Sequence, residues 1–195
     1  AKEASEMILT DDNFATIVTA VKEGRTIYDN IRKFVRYVLS ANFSEIFFIS
    51  IAIFAGLPLP LLPAQILLLN LLTDGPAIAL SVDPPEKDIM KRKPRNPKHG
   101  ILHKMTLFSI AAGSLALMVL MGVFIWELYL GHSIEKARTM VMTTAFLFQA
   151  FLVFNCRSEN THAWRVGFFN NKYLILGVLA TLILQAAIIY LPSMQ

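Results

Sequence analysis

The chain has 195 residues, 55% of them hydrophobic and only 16% charged, with a mean hydropathy of +0.53, which excludes an ordinary soluble domain and predicts an all-α membrane protein. Its formal charge of +4 does not mark a nucleic-acid binder, because the basic residues sit beside apolar runs and not along an amphipathic soluble face. The single cysteine, Cys156, excludes an internal disulfide, a redox pair and a thiolate metal cluster.

In chain order, residues 1–30 are mixed and charged, without the continuous apolar core of a signal peptide. "EMIL" predicts a short strand. "DDNFATIVTAVKEGR" predicts an amphipathic helix, with Asp11 and Asp12 available as N-caps and Gly24 placed as a stop. Residues 1–25 therefore read as a short α/β end of a soluble unit, too small to bury a core, whose Phe14, Ile17, Val18 and Val21 need a partner surface. From Thr26 no breaker occurs before Gly56, so a rod of about 45 Å is expected to run from the soluble side into the membrane, able to transmit motion.

Residues 26–195 form the transmembrane part. Apolar runs near 35–55, 62–82, 101–130, 139–156 and 173–192 predict five spans of a helical bundle in a lipid bilayer. "GLPLPLLP" reads as a tight turn between antiparallel neighbours. "DPPEKDIMKRKPRNPKHG" is a proline-broken loop whose basic run fits a topology determinant, and also anionic lipid or a soluble domain. Only Lys136 and Arg138 fall in the segments on the opposite side, so the positive-inside rule places the N-terminus in the cytoplasm and "LPSMQ" outside.

The polar residues inside these runs carry the chemistry. Asn42 and Glu45 share a face of the first span, and Asn70, Thr73 and Asp74 share a face of the second. A carboxylate at the bilayer centre costs roughly 2.5–3.5 kcal/mol even on insertion scales, so something must compensate it. Two acids, two amides and a hydroxyl, with no thiol or imidazole, form a hard-oxygen set suited to calcium or a similar cation. Gly75 and Pro76 are expected to loosen the helix and free carbonyls for the ion. Interhelical hydrogen bonding with a packing kink is the alternative.

Gln149 in the fourth span offers one more amide oxygen. Glu127, Trp126 and Tyr129 are expected at the membrane interface, with Glu127 snorkelling outward, and Gln185 at a helix contact. His99, His103, His132 and His162 show no metal-ligand spacing.

Three stretches together, "AKEASEMILTDDNFATIVTAVKEGRTIYDNIRKFVRYVLSAN", "NLLTDGPAIAL" and "DPPEKDIMKRKPRNPK", resemble the C-terminal part of a P-type cation-transporting ATPase of the calcium-pump class. The resemblance is looser beyond residue 98, resting on span order and "FNCRSEN". It implies that residues 1–25 finish the phosphorylation domain and that the spans match the family's fifth to ninth helices. It also makes Asn42, Glu45, Asn70, Thr73 and Asp74 the Ca²⁺ ligands of the matching helices. Asn70 looks like the calcium pumps, where sodium/potassium pumps have an acid. Gln149 falls where two-calcium reticulum pumps have a glutamate, which implies a single calcium per cycle.

The sequence contains no "DKTG", "TGDG" or "PEGL". ATP and Mg²⁺ are therefore expected to bind the remainder of the pump: its nucleotide-binding, phosphorylation and actuator domains, first to fourth helices and tenth helix. The expected chain is a fragment of a multi-pass protein, in the cell membrane, with no nucleic-acid partner. The rivals are the same scaffold carrying Na⁺, H⁺ or Mn²⁺, and a non-catalytic membrane remnant.

Overall fold

The computed structural model describes residues 13–94, 98, 100–102, 105–159 and 167–191. Among these residues are five α-helices: α1 (Phe14–Phe54), α2 (Pro63–Ala79), α3 (Met105–Tyr129), α4 (Ile134–Asn155) and α5 (Lys172–Tyr190). Short 3₁₀ turns, Leu80–Val82 and Phe168–Asn170, follow α2 and precede α5. Each of the five long elements, counting the turn Leu80–Val82 with α2, is long and apolar enough to cross a membrane, as the hydropathy pattern predicts.

The start of the chain departs from expectation. Among the described residues there is no strand, and "EMIL", Asp11 and Asp12 lie outside them. The N-cap of α1 is Asn13, whose side-chain oxygen accepts the Ala15 N–H at 3.0 Å. Gly24 does not stop the helix. One interior glycine costs about 1 kcal/mol against alanine, too little to break an element held along 41 residues. What reads as a soluble helix plus a span is thus one rod of about 60 Å.

Helix ends follow local chemistry. Gly56, at φ 69°, lets its own N–H reach the Ile53 carbonyl and the Leu57 N–H reach that of Ala52, closing α1 in a Schellman motif. Gly131 closes α3 in the same way, with the Gly131 N–H on Leu128 and the His132 N–H on Glu127. Arg138 of α4 donates through Nε to the Leu59 carbonyl at 2.9 Å and ties the α1–α2 turn to the bundle.

Consecutive helices are not always partners. α1 packs mainly on α3, α3 also on α4, and α2 on α5, while α1 meets the α2 segment chiefly at Leu80–Val82. Along most of their length α1 and α2 therefore touch each other at few points. Two apolar clusters hold the frame. Phe48, Leu69, Phe124, Val141 and Phe146 occupy the half nearer Gly56 and Gly131, where Phe48 and Phe124 meet edge to face at 6.2 Å. Tyr37, Ala77, Leu80, Val153, Cys156 and Leu174 occupy the other half. Ile46, Leu67, Leu107, Phe151 and Leu176 remain exposed, as a lipid-facing surface requires.

Glu127 does not snorkel. It is buried at 6% exposure, its carboxylate 2.7 Å from Nδ1 of His132, because the α3 cap folds that imidazole back over it. Gln185 makes the expected helix contact, its Nε2 donating to the Thr143 hydroxyl at 3.3 Å.

Candidate cation site

Between the two apolar clusters, polar groups from α1, α2 and α4 approach one another. Glu45 is 6% exposed and Gln149 is 4% exposed. Nε2 of Gln149 donates to Oε1 of Glu45 at 2.9 Å, and the Tyr37 hydroxyl donates to Oε1 of Gln149 at 3.2 Å. The amide is thereby oriented from both ends: its oxygen is occupied by a phenol and its N–H faces the acid. Gln149 positions Glu45 in this arrangement and does not offer it an oxygen-lined face.

Tyr37 is a participant that sequence reading missed. It lies eight residues before Glu45, and the intervening Ser40, Ala41 and Ser44 are buried with them on the inner side of α1. A tyrosine two turns before an intramembrane acid is a usable signal, yet an aromatic in a span reads first as packing.

On α2, Thr73 is buried beside the Tyr37 hydroxyl and donates to the Leu69 carbonyl of its own helix at 2.9 Å. Asp74 lies within electrostatic reach of both Glu45 and Tyr37. Among the described residues Asp74 and Asn42 are exposed and Asn70 is half-buried. Among the described residues no three His, Cys, Asp or Glu side chains gather where they could hold a metal ion.

The expected loosening at Gly75 and Pro76 does not occur. α2 stays helical through both residues to Ala79. Pro76 cannot supply an N–H to the Leu72 carbonyl, yet that carbonyl is not left open. The Thr181 hydroxyl of α5 donates to it at 2.8 Å.

A second polar centre, also missed, lies where α2 ends. The Asp83 side chain is 1% exposed. Oδ2 accepts from Nζ of Lys33 at 2.9 Å, while Oδ1 accepts from Nε of Arg157 at 3.1 Å and Nδ2 of Asn171 at 3.0 Å. The Asp83 carbonyl accepts from Asn30 at 2.8 Å. One aspartate thus fastens α1, the ends of α2 and α4, and the start of α5.

The following loop docks on α1. Arg92 pairs with Asp29, Glu86 and Asp88, and Arg25 donates to the carbonyls of Ile89 and Arg92, each at 2.9 Å. The Arg92 guanidinium bonded to Asp88 holds that carboxyl below its ordinary value. Within the basic run, Arg92 is thus paired inside the chain. Residues 95–97 and 99 lie outside the described residues.

Residues 58–195 match the family described as "Cation transporting ATPase, C-terminus". Over its whole length the chain is 46% identical to a "Calcium-transporting ATPase" of Bacillus subtilis, 42% to a "Probable cation-transporting ATPase F" of Mycobacterium tuberculosis and 35% to a "Calcium-transporting ATPase type 2C member 2" of Rattus norvegicus. It covers 22%, 22% and 21% of those proteins, so it spans about a fifth of the length of the curated relatives it matches.

Proposed function

Because this chain belongs to the P-type cation-transporting ATPases, as a C-terminal part of one, we propose that it forms the ion-carrying membrane segment of a calcium pump. In this reading the transported Ca²⁺ is held by oxygens of Asn42 and Glu45 on α1 and of Asn70, Thr73 and Asp74 on α2, with Gln149 of α4 at the rim. The observation that carries it is the convergence of three helices. Glu45 of α1 is buried and held by Gln149 of α4 at 2.9 Å, and Asp74 of α2 lies near enough for its charge to act on Glu45. Two acids on neighbouring helices, in a segment built for lipid, are costly unless a cation or a proton offsets their charge.

The exposed flank of Asn42 and Asp74 is where the rest of the protein completes the shell, through the first to fourth helices. ATP, Mg²⁺ and the phosphorylated aspartate belong to that remainder, and residues 1–25 finish its phosphorylation domain. α1 carries motion from that domain to the site along an unbroken helix. The N-terminal end faces the cytoplasm of a cell membrane. One calcium moves per cycle, since an amide at 149 and an asparagine at 70 leave too few carboxylates for two.

The test is ATP-driven uptake of ⁴⁵Ca²⁺ into vesicles holding the full-length transporter, with Mn²⁺, Na⁺ and a pH series as competitors. Saturable calcium uptake that Na⁺ leaves unchanged is expected. Uptake of Na⁺ or Mn²⁺ with no calcium transport would replace the ion, and no ATP-dependent transport of any cation would favour the remnant.

A further inference from the structure

The contact between α2 and α5 includes the turn where Pro76 denies α2 one of its own hydrogen bonds. Pro76 has no N–H, so the Leu72 carbonyl, one residue before Thr73, lacks its usual donor four residues on. A carbonyl left open in an apolar setting is costly. Thr181 supplies the missing donor at 2.8 Å and is itself buried. The approach that allows this depends on Gly177, one turn earlier on α5. A Cβ there would stand 3.2 Å from the nitrogen of Pro76 and 3.3 Å from its Cα, closer than ordinary contact.

The same hydroxyl lies 2.9 Å from the carbonyl of Gly177, its own back-bonding partner four residues earlier. A hydroxyl carries one hydrogen and serves one acceptor at a time. With the hydrogen on Leu72, the turn bearing Thr73 and Asp74 is locked to α5. With it on Gly177, α5 loses nothing and the Leu72 carbonyl opens.

We infer that Thr181 is a positioning residue for the cation site: by filling the hydrogen-bond gap beneath Pro76 it sets the orientation of Thr73 and Asp74, and by turning back to Gly177 it releases them. This deepens the calcium-site reading and rests on it. Thr181 touches no ion in this role. It acts through the backbone of α2.

Two measurements on the purified full-length transporter separate this role from mere packing. In the first, thermal unfolding is compared for Thr181→Val and Thr181→Ser, in the native background and with Pro76→Ala, which restores an N–H for Leu72. Thr181→Val should lower the unfolding midpoint in the native background and have little effect with Pro76→Ala, while Thr181→Ser should be silent. Equal losses in both backgrounds, or a loss in Thr181→Ser matching that in Thr181→Val, overturn the inference.

In the second, the calcium concentration giving half-maximal phosphorylation from ATP should rise roughly five- to tenfold in Thr181→Val, the scale of one lost hydrogen bond, and stay near the native value in Thr181→Ser. An unchanged half-point in Thr181→Val, alongside a shift in Glu45→Gln, overturns it. Unchanged half-points in Glu45→Gln and Asp74→Asn instead overturn the site reading, and the Thr181–Pro76 coupling then stands on the unfolding data alone.

Discussion

Gln149 is held at both ends, by the hydroxyl of Tyr37 and the carboxylate of Glu45, so its removal strands two buried groups at once. Gln149→Leu should therefore cost about 1–3 kcal/mol in detergent unfolding, whereas Tyr37→Phe, which removes a single donor, should cost about 1 kcal/mol. Near-equal losses would mean that the three groups do not act as a chain. Cys156 belongs to the same scale. Its side chain is fully buried. Reagent therefore cannot reach the thiol in the folded protein, and iodoacetamide at pH 8 should modify Cys156 only after unfolding; rapid labelling of the folded protein would contradict its burial. The acids and amides of the candidate site stand out at this scale because a charge in an apolar run has few innocent explanations. Tyr37 and Thr181 do not, since aromatics and hydroxyls pack anywhere in a span and only the position of a neighbouring helix gives them a partner.

The helices themselves were readable from hydropathy, but their bounds and partners were less so. Gly24 looks like a stop in a local window, and the continuity of α1 depends on the helix on either side of it. The sparse α1–α2 packing, with α3 and α5 as the main partners, arises from long-range fit that no segment encodes by itself. The same holds for Asp83. In sequence it is the first residue of a proline-rich loop, yet in the fold it meets Lys33, Arg157 and Asn171 from three other elements. Asp83→Asn leaves two buried cations uncompensated and should cost about 3–5 kcal/mol, measured by denaturant unfolding in micelles. Replacing all three charges together, with Lys33→Met, Asp83→Leu and Arg157→Met, should recover most of that loss. If the triple variant is as unstable as Asp83→Asn, the cluster contributes more than mutual neutralisation.

For the whole molecule, the basic residues, the docked loop and the Asp83 centre share one end of the bundle, and the short turns at Gly56 and Gly131 share the other. On the topology proposed above, the basic end faces the cytoplasm. In a cysteine-free full-length transporter, an impermeant maleimide should label Ser133→Cys in intact cells and Lys87→Cys only after permeabilisation; the reverse pattern would invert the topology. The chain also shows why a bundle of this kind is incomplete alone. Its apolar outer face suits lipid, but Asn42 and Asp74 are polar groups exposed within the spans, which suits further protein.

The most direct measurement is equilibrium binding of ⁴⁵Ca²⁺ to the purified full-length transporter, native and with Glu45→Gln or Asp74→Asn. Near one ion per molecule should bind to the native protein, and each substitution should weaken that binding at least tenfold, about 1.4 kcal/mol or more. Native-like affinity in both variants would contradict the claim that α1 and α2 hold one cation between them.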